Sequence, residues 1–252
     1  MEPGEYDNIA AVEASHWWYV GMREIAAGLL AQVYPAVAAG QAAPARDILD
    51  AGCGVGGGLR WLSAYGRVTG IDLHPLAIRY SSQLSRRLSL ASVQALPFRD
   101  HCFDLVTSFE VLYHLAVSDD RLALAEMARV LRPGGWLLVR VPAHDWLRGA
   151  HDRHVHTRHR YGRAELGKKL SEAGLKLKRL TGVGASLLPP AIARRALQRG
   201  DSAQSDVALP SPAVNGLLLA ILRAEGRWLN HFDLPTGLSV LALAQKPPAT
   251  RS

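Results

Sequence analysis

Residues 47–60 read D-I-L-D-A-G-C-G-V-G-G-G-L-R. An apolar strand pattern runs directly into five glycines within positions 52–58, and a helix-like pattern follows. Glycine at that density suits a backbone that turns tightly and lets a ligand come close. The rest of the chain must therefore supply a scaffold for a strand–loop–helix unit. Strand patterns at 46–51, 67–72, 90–94, 103–109, 135–141, 175–181 and 238–245 alternate with helical patterns at 16–33, 56–64, 75–87, 119–131 and 163–173. This alternation predicts an α/β fold with a mostly parallel sheet covered by helices on both faces. Leu131-Arg132-Pro133-Gly134-Gly135 ends one helix and opens the next strand. The stretch 182–237 has no strand pattern. It carries Pro189-Pro190, Pro210-x-Pro212 and an amphipathic run from Val214 to Leu229, and it reads as a helical insertion before the last strand.

The identity of the ligand turns on one acid. Gly52-x-Gly54-x-x-Gly57 fits the dinucleotide fingerprint, which alone is weak. The same segment also reads Asp50-x-Gly52-x-Gly54-x-Gly56. A carboxylate at the strand end repels a pyrophosphate but attracts an ammonium group. S-adenosylmethionine carries an ammonium, a sulfonium and no phosphate. A second strand pattern, R-V-T-G-I-D-L, ends in Asp72, whose carboxylate can hold both ribose hydroxyls. Asp72 serves NAD equally well, so it indicates an adenosine-containing ligand and does not choose between the two.

Composition narrows the setting. The 252 residues suit one domain with an insertion. The net charge is +7 and the pI about 9.7, with no basic block interleaved with aromatics, so a scattered solvated surface is favoured over a nucleic-acid partner. Cys53 and Cys102 make neither a disulfide framework nor a metal spacing. No apolar run approaches a membrane span and the N-terminus has no secretory h-region, so a cytoplasmic setting is expected.

The segments I-L-D-A-G-C-G-V-G-G, V-T-G-I-D-L, A-L-P-F-R-D-H-C-F-D-L-V, E-V-L-Y-H-L and M-A-R-V-L-R-P-G-G-W-L-L-V resemble the class I S-adenosylmethionine-dependent methyltransferases of the methyltransferase domain 11 type. The resemblance spans about residues 46–142. It implies a Rossmann-like seven-stranded sheet with the last strand antiparallel, and S-adenosylmethionine as cofactor with S-adenosylhomocysteine as product. It implies a donor site drawn from Asp50, Gly52, Cys53, Gly54, Gly56, Asp72, Leu73, Ser92, Val93, Gln94 and Phe109. Ser92 stands where the family often has an acid for the adenine amino group, so that charge-assisted contact is missing. His16-Trp17-Trp18-Tyr19, with Arg23 on the same helix, reads as a lid over the cofactor, Trp18 and Arg23 being its contacts. The chain then divides into an N-terminal helical lid (1–45), a cofactor-binding core (46–183), the helical insertion (184–237) and a last strand with tail (238–252).

The acceptor side is less specified. Phe109–His114 follows the fourth strand and should lie near the transferable methyl. The loop H-D-R-H-V-H-T-R-H-R-Y at 151–161 is rich in histidine, but its arginines and the lack of completing ligands disfavour a metal. His114, His156 and His151 are the candidate general bases for a hydroxyl or ammonium acceptor, with Arg158 and Arg160 as anion-gripping alternatives. The expected reaction is methyl transfer to oxygen or nitrogen of a small molecule, such as a natural-product intermediate or a lipid- or sugar-linked metabolite. An RNA methyltransferase, a methyltransferase-fold binding protein without turnover and an NAD(P)-dependent oxidoreductase are the rivals. The apolar insertion suits a hydrophobic acceptor or a homodimer interface equally.

Overall fold

The structure, a computed structural model, describes residues 3–35, 45–148, 152, 156–197 and 208–249. Seven strands form one sheet: β1 (Asp47–Ala51), β2 (Arg67–Asp72), β3 (Leu88–Leu90), β4 (Phe103–Phe109), β5 (Leu131–Pro142), β6 (Lys176–Val183) and β7 (Ser239–Gln245). Their order is β3-β2-β1-β4-β5-β7-β6. Strand β7 pairs antiparallel with both β5 and β6, and the other neighbouring strands pair parallel. Strand order reverses between β1 and β4, which opens a crevice at their carboxyl ends.

Side chains alternate across this sheet. Leu49, Val106, Leu137, Val139 and Ala242 enter one core, where α5 (Asp120–Val130) and α6 (Arg163–Glu172) pack. Ile48, Leu105, Leu138, Leu241 and Leu243 enter the other, beneath α2 (Trp17–Ala31), α3 (Gly57–Leu62) and α8 (Pro212–Leu229). Burial on both faces explains why the central strands read as near-continuous apolar runs. The remaining helices are α1 (Pro3–Val12), α4 (Pro75–Ser81) and α7 (Leu188–Leu197).

Several boundaries differ from the sequence expectation. The strand expected at 90–94 lies at Leu88–Leu90. Beyond it, Ser92 Oγ accepts from the Gln94 amide at 3.2 Å and turns the chain away from the sheet. The helix expected to reach 87 ends at Ser81, where the Leu84 and Ser85 amides turn back onto the Ser81 carbonyl. Strand β5 begins at Leu131, ahead of the proline–glycine break, because Leu131 still pairs with Phe103 before the register shifts. Helix α1 had no counterpart in the periodicity.

The helical insertion holds the N-terminal helix in place. Gly21 of α2 meets Leu222 of α8 so closely that a Cβ would lie 2.5 Å from the leucine Cδ1. Arg223 donates to both Glu24 oxygens at 2.8 Å, and Asn215 accepts from the Trp17 amide at 2.9 Å while donating to the Ser15 carbonyl at 3.0 Å. Gly21→Val should therefore force the two helices apart and destabilise the fold by about 1–3 kcal/mol, the usual range for overpacking. A fall in thermal midpoint against the native chain checks this.

Candidate active site

The carboxyl ends of β1, β2, β4 and β5 open into one cavity of about 850 Å³, roofed by α1, α2 and the turn between them. One end is built by the glycine loop. Asp50 closes β1 and is only 3% exposed. Its Oδ1 accepts from the Thr107 hydroxyl of the neighbouring β4 at 2.9 Å. Gly52 and Cys53 then both donate to the Ile71 carbonyl at 2.8 Å, which bends the chain across β2. Gly52 and Gly54 have φ of 89° and 52°, a region that favours glycine. A side chain at Gly52 would overlap Val111, and one at Gly58 would overlap the Asp50 carboxylate.

Asp72 ends β2 and faces the same space. Its Oδ2 accepts from the Gly54 amide at 3.0 Å and its Oδ1 from the His74 amide at 2.9 Å. The cap of α4 is His74, whose Nδ1 accepts from the Leu76 amide at 3.2 Å and whose ring stacks on Tyr6 of α1 at 4.7 Å. Burial raises the Asp72 pKa. Burial also pushes Asp50 up to about 7, with nearby Glu13 and Asp72 adding to the shift and the Thr107 hydrogen bond opposing it.

Cys53, Leu73, Ser92, Val93 and Phe109 line the cavity, as do Trp18 and Arg23 from α2. Gly56 and Gln94 lie behind the lining. Gly56 caps α3 in the left-handed region against Leu84 and Ser81. Gln94 turns outward, donating to the Ala116 carbonyl and accepting from Ser118 and the Asp119 amide, and so ties the loop after β3 to the start of α5. In the roof, the His16 Nδ1 caps α2 by accepting from the Trp18 amide at 3.2 Å, and His16, Trp17, Trp18 and Tyr19 all face the cavity.

The other end is polar. Glu110 follows β4 in the left-handed region, with φ of 58°, a strained setting for a residue with a side chain. It accepts from Nε of Arg140 at 2.9 Å, and Arg140, 8% exposed, lies over the Phe109 ring. Arg160 clamps Asp152 through two bonds of 2.8 and 3.1 Å. His114 and His156 place their ring centroids 5.6 Å apart, and a β-bridge from His114 to Thr157 brings the two segments together. The His114 Nδ1 accepts from the Ala116 amide at 3.0 Å, which leaves the proton of the neutral ring on Nε2. Burial, with His156 adding, pulls the His114 pKa down to about 4.

The two arginines of the loop part company. Arg160 lines the cavity, whereas Arg158 donates to Asp120 at 3.2 Å, beside Lys169 and the Tyr161 hydroxyl. His151 lies outside the described residues. Sequence reasoning did not single out Glu13, Tyr6 or the Glu110–Arg140 pair. Gly57-Gly58 was the available signal for Glu13, since two more glycines follow a loop already complete.

The crevice at the strand-order switch thus has one acid from the end of β1 and one from the end of β2 facing the same space. The sequence profile of the family described as Methyltransferase domain matches residues 49–139. Methyltransferase GfsG of Streptomyces halstedii is 32% identical over 227 residues, covering 79% of this chain and 74% of that protein. This chain belongs to the S-adenosylmethionine-dependent methyltransferase family. The fatty-acid O-methyltransferase of Mycolicibacterium smegmatis is 38% identical over 114 residues, 42% of this chain and 41% of that protein. The chain spans 32%, 57% and 32% of the lengths of three further curated relatives. The methyltransferase-fold chain solved with the Haloferax volcanii Trm112 methyltransferase activator superposes with a TM-score of 0.60 at 20% identity, over 99% of both chains, and shares the fold.

The raised acids give the site a pH signature. A carboxyl whose folded pKa is raised adds stability at low pH and loses that contribution as pH climbs through the folded value. Without ligand, the chain should therefore lose stability between about pH 4 and pH 7, the window of Asp50. Asp50→Asn should flatten that slope in denaturant titrations run across the window.

Proposed function

We propose that this chain transfers the methyl group of S-adenosylmethionine to an oxygen or nitrogen of a small-molecule acceptor. A natural-product intermediate or a lipid- or sugar-linked metabolite fits the reading. The observation that carries it is that a single cavity has the glycine loop with Asp50 and Asp72 at one end and two ion pairs with two histidines at the other. The residues present suit the donor. Asp50 keeps Oδ2 without a hydrogen bond among the described residues, ready for an ammonium, and Asp72 retains lone pairs for ribose hydroxyls. Bound there, the cofactor supplies an already electrophilic methyl.

The chain's own work is then alignment and exclusion of water. Trp17, Trp18, Tyr19 and Phe109 offer aromatic faces to a sulfonium. An acceptor entering from the polar end needs its nucleophile held about 3–3.5 Å from the methyl. The neutral His114, with its proton on Nε2, suits hydrogen-bond donation to the acceptor. The task of taking a proton from a hydroxyl or ammonium then passes to His156. Arg140 and Arg160, not Arg158, are the cations facing an anionic group. The apolar part of the lining and the fatty-acid-modifying relative favour an acceptor with a hydrophobic portion.

Incubation with radiolabelled S-adenosylmethionine and fractionated small-molecule extracts tests the reading; label that never leaves the cofactor in any fraction refutes it. With an acceptor in hand, His156→Ala should lower kcat at least tenfold while leaving cofactor binding unchanged, as removal of a proton acceptor requires. Arg140→Ala should instead raise KM for a carboxylate- or phosphate-bearing acceptor while sparing kcat.

A further inference from the structure

The glycine loop meets a carboxylate that it does not itself supply. Glu13 sits in the turn between α1 and α2 and lines the cavity beside Asp50. Its side chain accepts the Gly57 amide at the start of α3. A Cβ on Gly57 would fall inside the Glu13 carboxylate, and a Cβ on the next residue, Gly58, would fall inside that of Asp50. Two carboxylates from segments far apart in sequence thus converge on two consecutive glycines. Asp50 is 3% exposed, and its Oδ2 has no hydrogen bond among the described residues.

The charges around the pair are lopsided. Arg23 of α2 and Arg60 of α3 act on Glu13. Asp50 faces the Thr107 hydroxyl of β4, the Asp72 carboxylate of β2 and Glu13. Cys53 and Tyr19 border the group as neutral side chains whose pKa burial raises. Among the described residues, no cation is placed against Asp50.

We infer that Glu13 and Asp50 together clamp the ammonium group of the cofactor's amino-acid moiety, so that the N-terminal roof is part of the donor site. The inference rests on the methyl-donor reading of the cavity. Arg23, lining the same space, is placed to take the carboxylate of that moiety, which leaves its ammonium to the two acids. Burial raises both acids, and Asp50, pushed up to about 7, holds a proton in part of the population near neutral pH. When the ammonium arrives, that proton leaves to buffer and the pair becomes fully anionic.

Calorimetry on the native chain and on Glu13→Gln tests this with two ligands, S-adenosylhomocysteine and 5′-methylthioadenosine, which keeps the nucleoside but has no amino-acid portion. Glu13→Gln should weaken S-adenosylhomocysteine at least tenfold and leave 5′-methylthioadenosine unchanged. In buffers of different ionisation enthalpy near pH 7, the native chain should release protons with the first ligand and none with the second, and the variant should release fewer. Equal weakening of both ligands would make Glu13 merely a structural prop of the roof. Unchanged or tighter S-adenosylhomocysteine binding in the variant would also overturn the clamp, the latter by making Glu13 a plug. A native chain that binds neither ligand would overturn the donor-site reading itself, and the clamp with it.

Discussion

The Thr107 hydroxyl on the Asp50 carboxylate joins β1 to β4 where the sheet changes direction. An ionised carboxylate this deep is costly unless it is paired or neutralised. Here one oxygen has the threonine, and the high pKa lets a proton share the burden until a cation is present. The glycine loop follows from that geometry. The chain must leave β1, cross to the Ile71 carbonyl and begin α3 without a side chain striking Asp50 or Val111. The same requirement sets where Asp72 comes to lie, because its carboxylate anchors the Gly54 amide. A change at Thr107 would thus be felt in the loop, in α3 and at the end of β2.

The two ends of the cavity differ in kind. The glycine-loop end is fixed by backbone geometry on the central strands, whose cores are packed on both faces. The polar end is assembled from side chains of the segment after β4, of β5 and of residues 152 and 156–161, held by ion pairs and a short β-bridge. Its polar groups satisfy one another: Glu110 with Arg140, Asp152 with Arg160. Pairing offsets the cost of holding these charges out of water and leaves the cavity wall polar. Glu110 does this from a backbone conformation that costs energy, consistent with a position kept for what it does in the cavity.

Much of the fold was legible because periodicity and glycine placement report backbone requirements. Six strands fell near their expected positions, and the antiparallel β7 followed from the family resemblance. The strand after α4 was misplaced because Ala91–Gln94 is apolar enough to look extended, while the Ser92 turn and the outward tether of Gln94 are tertiary facts. Asp50 and Asp72 could be read because each ends a strand beside a glycine or a turn. Glu13 was harder to read: Gly57-Gly58 marks a close neighbour, but only the folding of α1 and α2 across the loop says which residue it is. Arg158 and Arg160 look alike in sequence, yet one is drawn to Asp120 and the other to Asp152. Only the three-dimensional charge map separates them.

The grip of α8 on α2 bears on the order in which the protein is made. The contacts that seat the roof, Trp17 with Asn215 and Glu24 with Arg223, join residues 198 and 199 positions apart. Bridging so long a separation is entropically slow and comes late in folding. During synthesis the roof helix leaves the ribosome ahead of the sheet, but its anchor emerges only after six of the seven strands have been made. The nascent chain can thus form the donor loop well before it can cover it. The covered cavity needs the chain through α8, and fragments ending before α8 would carry the glycine signature with an unroofed site.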